Sequence, residues 1–314
     1  MSDLYLVTGG AGFIGSHIVR RLVARGDSVR VVDNLSNGKI DRLADVAAAI
    51  DFINGDLADP DVCDRVVGDV AYVFHQAAIP SVQRSIRDPV TSNRANITAT
   101  LNLLESCRKR DVRRVIYAAS SSAYGNTAEL PKREDMAATP LSPYALQKFV
   151  GERYATMFCD LFGLQTVSLR YFNVFGPNQD PSSEYSAVIP KFICKLLRGE
   201  TLTIFGDGEQ SRDFTYVDNV VDANLLAMIS ENAGGKVYNI GCGTRLSLNQ
   251  LVKLLEKILG TAANVDYQTS RPGDVRDSLA DIELAQNTLG YSPRISIEDG
   301  LRKTVEWFRH HLNR

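Results

Sequence analysis

Apolar positions in the first half of this chain follow two periods that take turns. Short, mostly β-branched runs at residues 4–8, 28–33, 51–54, 71–75, 114–119 and 166–171 read as strands. Between them, residues 16–25, a long stretch around 93–110, and a segment opening at Ser142 carry the helical period. Strand–helix alternation of this kind predicts βαβ units and a parallel sheet. Val115-Ile116-Tyr117 and Val29-Arg30-Val31-Val32 suit strands covered on both faces.

The texture changes after Asn173. Gly176-Pro177 and the polar stretch 178–186 break the regularity, and residues 188–198 and 201–205 then read as a helix and a short strand. Ser247 and Gln250 have the spacing of a capping box, and Leu248, Leu251, Val252, Leu255, Ile258 and Leu259 form one apolar stripe behind it. Residues 302–311 read as a terminal helix, and Val237–Ile240 as a strand that returns to the main sheet. The expected organisation is a doubly wound α/β domain over 1–173, rejoined by 214–241, with a smaller α/β substrate domain over 174–314.

Composition narrows the class. A chain of 314 residues with 44% apolar and 23% charged residues can bury a sizeable core. Its formal charge of −2 includes no basic tract, so nucleic acid is not an expected partner. No apolar run approaches the roughly 20 residues that span a bilayer, and no signal peptide is evident. Five scattered cysteines without a C-x-x-C suggest reduced, structural thiols and a cytoplasmic protein. No metal is called for.

Directly after the first strand comes Thr8-Gly9-Gly10-Ala11-Gly12-Phe13-Ile14-Gly15, which opens a helix. Glycines at 9, 12 and 15 permit a tight turn, a close backbone approach to a pyrophosphate and tight helix–strand packing. The helix N-terminus offers N–H groups and positive partial charge to phosphate. Asp33 ends the second strand, 18 residues after Gly15, where a carboxylate can bind ribose hydroxyls. The segment after it, Asn34-Leu35-Ser36-Asn37-Gly38, has no Arg for a 2′-phosphate, which favours NAD over NADP. Asp56-Leu57 ends the third strand and suits adenine contact. Gln76-Ala77-Ala78 ends the fourth with small residues beside the cofactor path. His75 reads as a packed core histidine.

Candidate chemistry lies further along. Ser142 is a helix N-cap and Pro143 suits the first helical position. Tyr144 and Lys148 therefore share one helical face. A phenol has an unperturbed pKa of about 10. A fixed positive charge beside it would lower that value toward neutrality. Taken alone, the spacing reads sooner as a half-buried Tyr and a solvated Lys. At the end of the strand 114–119 stand Ser120, Ser121 and Ser122, where a parallel sheet binds its ligands.

Together TGGAGFIG, DNLSNG, SSS-Ala-Tyr-Gly, SPYALQK and the stretch Arg170-Tyr171-Phe172-Asn173-Val174-Phe175-Gly176-Pro177 resemble the extended short-chain dehydrogenase/reductases, most of all the nucleotide-sugar 4-epimerases. The resemblance covers nearly the whole chain. It implies a Rossmann-type fold and bound NAD, with Asn96 and Tyr171 among the cofactor contacts. Tyr144 is then the general base, Lys148 holds the ribose and lowers the phenol pKa, and Ser120 bonds the sugar 4-oxygen. The substrate would be a UDP-sugar. Ser81, Arg84, Ser121, Ser122 and Val188 would line its site. Asn173, Arg212 and Arg271 would hold the diphosphate, Asp274 the uridine ribose, and Thr203 and Phe205 the edge of the base. A homodimer formed through the 93–110 and Tyr144 helices is also implied.

Related dehydratases and decarboxylases place a carboxylate just after the catalytic Ser or Thr. Here Ser121, Ser122 and Ala123 stand there, which leaves epimerisation as the simplest chemistry. Galactose-type epimerases carry a Tyr four residues after the Asp of Arg-x-Gly-Asp. Here the residue is Ser278, which leaves room for an N-acetyl group. The expected reaction is NAD-dependent interconversion of UDP-GlcNAc and UDP-GalNAc, with UDP-Glc and UDP-Gal as weaker substrates. The alternatives are a UDP-glucuronate 4-epimerase, another NAD-dependent nucleotide-sugar enzyme, or a non-catalytic NAD-binding regulator.

Overall fold

The computed structural model describes residues 3–181, 188–269 and 276–312. Strand β1 (Leu4–Thr8) leads into α1 (Phe13–Ala24), β2 (Ser28–Asp33), β3 (Ile50–Asn54), α2 (Pro60–Val66) and β4 (Val70–His75). Helices α3 (Val82–Arg87), α4 (Pro89–Asn93) and α5 (Ala99–Lys109) follow, then β5 (Arg114–Ser120), α6 (Pro143–Phe162) and β6 (Thr166–Tyr171). Next come β7 (Val174–Phe175), α7 (Val188–Leu197), β8 (Leu202–Phe205), β9 (Ser211–Arg212), β10 (Thr215–Tyr216) and α8 (Val217–Ile229). The chain ends with β11 (Val237–Ile240), β12 (Leu246–Ser247), α9 (Leu248–Leu259), β13 (Val265–Gln268), α10 (Glu283–Leu289) and α11 (Ile297–His311).

Seven of these strands form one parallel sheet in the order β3-β2-β1-β4-β5-β6-β11. The order reverses between β1 and β4, and that switch point opens a crevice at the carboxyl ends of the strands. Side chains alternate across the sheet. Tyr5, Val7, Val31 and Ile116 pack with Ile18 and Leu22 of α1 and Val220 and Ala223 of α8. Leu6, Val32, Val73 and Val115 pack on the other face with α2, α5 and Phe158 of α6. This is the doubly wound Rossmann-type architecture.

The other strands pair in twos, β7 with β10, β9 with β12 and β8 with β13. They surround a second core built from α7, α9 and α11, including Ile193, Leu251, Leu255, Leu301 and Phe308. The capping box of α9 is formed: Gln250 N donates to Ser247 Oγ at 3.2 Å, and Ser247 N donates to Gln250 Oε1 at 2.9 Å. Among the described residues no helix is long and apolar enough to cross a membrane.

The helix expected around 93–110 begins earlier, with α4 joined to α5 through a π-helical turn at Arg94–Thr98. Helix α8 escaped the periodicity reading. It packs beside α1 on one face of the sheet, with Val217, Val220, Val221, Ala223, Ala227 and Met228 all buried, so it shows no single stripe.

Close approach explains the glycine loop. Gly9 has φ +64°, and a Cβ there would stand 2.7 Å from the Ala77 backbone. At Gly15 a Cβ would stand 2.2 Å from the Gly9 carbonyl oxygen. Gly15→Ala should therefore force the loop off the helix and destabilise the protein by about 1–3 kcal/mol. Thermal unfolding reads this, and an unchanged midpoint would show that the contact is not confining.

Candidate active site

The start of α6 aims its first turn at the end of β5. Ser142 Oγ accepts from Ala145 N at 3.2 Å, Pro143 takes the first helical position, and Tyr144 N donates to Ser85 Oγ at 3.0 Å. The Tyr144 phenol faces Ser120, whose side chain favours its charged form. Ser120 ends β5 and caps a 3-10 turn, accepting from Ser122 N at 3.2 Å, with its Oγ 2.8 Å from Ser122 Oγ. Lys148 is only 5% exposed, which rules out the solvated alternative. Its Nζ donates to Ala118 O at 2.5 Å and lies 4.8 Å from the centre of the Tyr117 ring.

In the NAD-free protein Lys148 is not among the groups that set the Tyr144 phenol. Burial pushes the phenol above its ordinary value, and the Ser120 side chain only partly opposes the rise. Burial also pushes Lys148 down to about 7, so near neutral pH its charge is partial. Desolvation outweighs the pair attraction in the protein alone. His75 is a core residue, pushed down to about 3 by burial and by Lys148, and hence neutral. It links Thr8 Oγ1 at 2.7 Å to Thr100 Oγ1 at 2.9 Å.

A large cavity of about 730 Å³ contains Tyr144, Lys148, Ser120, Ser121 and Ser122, with Phe13, Ile14, Gly15 and Tyr171. A smaller cavity of about 90 Å³ is lined by Asp33, Asn34, Ser36, Asn37, Gly38, Asp56, Leu57 and Ala77. Gly9, Gly12, Gln76 and Ala78 border both, so the two form one trough beneath the glycine loop. The residues fit a dinucleotide. No side chain caps α1, and its first turn carries no acidic residue to compete with a pyrophosphate. The Asp33 carboxylate is set by Ala11 N at 3.0 Å and Leu35 N at 2.8 Å, and burial raises its pKa. Leu35 turns its side chain into the core instead. Asn96 stands behind the trough: its amide donates to Gln147 Oε1 at 2.9 Å and its Oδ1 accepts from Ile79 N at 2.8 Å.

Ser81, Asn173, Arg212 and Ser278 line the large cavity together with the serine turn. Other substrate-side expectations are not brought there. The Arg84 guanidinium is held by Asn37 Oδ1 beside the cofactor loop. Val188 packs into the second core, where α7 buries its apolar face. Thr203 and Phe205 lie on β8, away from the described lining, with Lys195 Nζ 3.4 Å from Thr203 Oγ1. Arg271 and Asp274 fall outside the described residues. The lining also includes Gln83, Lys132, Gln179, Lys191 and Asp277, which no motif singled out. For Lys191 the available signal was a charge on the mostly apolar helix α7. Among the described residues no group of His, Cys, Asp and Glu could hold a metal ion.

Residues 5–241 match the model of the NAD dependent epimerase/dehydratase family. The chain belongs to this family. It is 39% identical over 309 residues to a putative UDP-glucose 4-epimerase of Methanocaldococcus jannaschii, covering 98% of this chain and 99% of that protein. Its structure superposes on the UDP-glucose 4-epimerase of Thermotoga maritima, solved with UDP-glucose, at a TM-score of 0.94 and 42% identity, covering 98% and 99% of the two chains. The UDP-N-acetylglucosamine 4-epimerase of Methanobrevibacter ruminantium, solved with UDP-N-acetylmuramic acid, gives the same TM-score of 0.94 and identity of 42%, covering 99% and 100%.

The buried amine of Lys148 carries a testable penalty in the NAD-free protein. Unfolded, it holds a proton up to about pH 10.4. Folded, it releases that proton near pH 7. The penalty is therefore complete below pH 7 and fades as pH rises toward 10.4, because in that window the unfolded state binds more protons. Lys148→Met should unfold no earlier than wild type at pH 7, and the difference should move in favour of wild type as pH rises. A variant less stable at pH 7 than at pH 10, relative to wild type, would contradict the account.

Proposed function

We propose that this family member inverts C4 of a UDP-N-acetylhexosamine, interconverting UDP-GlcNAc and UDP-GalNAc, with UDP-Glc and UDP-Gal as weaker substrates. Ser278 carries the choice of sugar. Ser278 N donates to Ser211 O at 3.1 Å, and its small side chain lines the large cavity. The relatives do not separate the two sugars, since a UDP-glucose and a UDP-N-acetylglucosamine epimerase are equally similar.

NAD held in the trough supplies a reversible hydride acceptor for the sugar C4. The chain supplies the rest. Tyr144 takes the proton from O4 and later returns it, while Ser120 orients O4 through its hydroxyl. Lys148 would hold the cofactor ribose. Asn173 and Arg212 grip the diphosphate, the arginine through charge-assisted bonds. A cavity of about 730 Å³ gives a 4-keto sugar room to turn while the nucleotide stays held. A homodimer is part of this proposal. Exposed Leu146, Met157, Leu161 and Phe162 on α6 and Val90 on α4 support it.

Purified protein incubated without added NAD should convert UDP-GlcNAc faster than UDP-Glc or UDP-glucuronate, with the products resolved by chromatography. Equal or better turnover of UDP-Glc would refute the preference. Ser278→Tyr should cut the acetylated reaction at least about tenfold while sparing the plain one. Tyr144→Phe should lower both by about 10²–10⁴-fold. Light scattering should give twice the chain mass, and a monomer would remove the dimer from the proposal.

A further inference from the structure

Three substrate-facing residues of the second half, Asn173, Arg212 and Ser278, come from three separate segments of chain. Asn173 is bonded to the backbone of Asp213, Arg212 precedes it in the chain, and Ser278 belongs to a segment bonded to its carboxylate; Asp213 is fully buried and does not itself line the large cavity. Its Oδ2 accepts from Ala280 N at 3.2 Å and from Gly243 N at 3.0 Å, and its Oδ1 accepts from Cys242 N at 2.8 Å. Its backbone oxygen accepts from Asn173 Nδ2 at 3.2 Å. Arg212 is its chain neighbour, with Nη1 donating to Ser211 O and Arg276 O, both at 2.9 Å. Ser278 is two residues before Ala280, so the Ala280 tie sets how far its segment stands from β9.

We propose that Asp213 is the positioning residue that holds Asn173, Arg212 and Ser278 at a fixed spacing across the nucleotide-sugar site, anchored to the end of β11. The proposal rests on the functional reading above. A carboxylate can accept from three N–H groups at once, which no neutral side chain of its size can do. Hydrogen bonds to an ionised acceptor are roughly twice as strong as neutral ones, so one side chain can hold the turn after β11 and the Ala280 segment against its own segment. The space around it is closed on the far side. A Cβ on Gly241 would lie 2.8 Å from Asp213 Oδ2 and 2.6 Å from the Ala280 Cβ.

The test measures UDP binding by calorimetry at pH 8, together with bound NAD and KM and kcat for the sugar nucleotide. Asp213→Ala should weaken UDP affinity and raise KM about tenfold or more, with kcat and NAD content little changed. Asp213→Asn should recover most of the affinity, because its one oxygen can still accept from Gly243 and Ala280. Gly241→Ala displaces the same carboxylate without removing it and should reproduce the weaker UDP binding. It decides the matter if Asp213→Ala does not fold, and the Asn variant decides if neither does. UDP affinity unchanged in a folded variant, or lost only in step with NAD, would overturn the proposal. Wild-type protein that fails to bind UDP would instead overturn the functional reading.

Discussion

Helix α6 lies so close to strand β5 that its midpoint has no room for a side chain. A Cβ at Gly151 would stand 2.2 Å from the Tyr117 hydroxyl, which itself donates to Lys148 O at 3.3 Å. This contact sets the depth at which α6 carries Tyr144 and Lys148 beneath Ser120. The same helix is fastened to β6 by the buried Glu152–Arg170 pair, with contacts of 2.7 and 2.8 Å, and Arg170 lies 4.6 Å from the centre of the Tyr124 ring. Breaking such a pair by removing one partner commonly costs about 3–5 kcal/mol, because the other charge stays buried. On the outer side, Gln147 Oε1 accepts from Asn96 at 2.9 Å and from Ser92 at 2.7 Å.

That depth has an electrostatic consequence. A phenol and an amine that would attract one another in water are both desolvated, and each is driven toward its neutral form. The bonds around them hold the geometry without help from charge. His75 is neutral, and the Thr8–His75–Thr100 chain remains intact across the physiological range. Thr8 Oγ1 also accepts from Ala77 N at 3.2 Å, so this chain sets the backbone that faces the glycine loop. The site is a rigid cradle whose charge state awaits its ligands.

Much of this was legible in the sequence where chemistry is local. Ser142-Pro143 announced the start of α6, Ser247 and Gln250 announced α9, and the loop from Gly9 to Gly15 announced the crevice. Reading failed where burial is set by distant neighbours. Helix α8 shows no single apolar stripe because α1, α10 and the sheet all pack against it. Gln179 and Lys191 carry no motif, and only the meeting of the two cores brings them to the cavity.

Residue order alone determined the parallel sheet, the dinucleotide loop and the Tyr144–Lys148–Ser120 set, because each depends on spacing within a single element or on the strand end it follows. The tertiary structure decided the protonation balance of that set, since desolvation depends on everything packed around it. It also decided which residues of the second half line the large cavity. Asn173, Arg212 and Ser278 are far apart in the chain, and they meet at the cavity because Asn173 bonds to the backbone of Asp213, Arg212 precedes it, and the segment of Ser278 bonds to its carboxylate through Ala280.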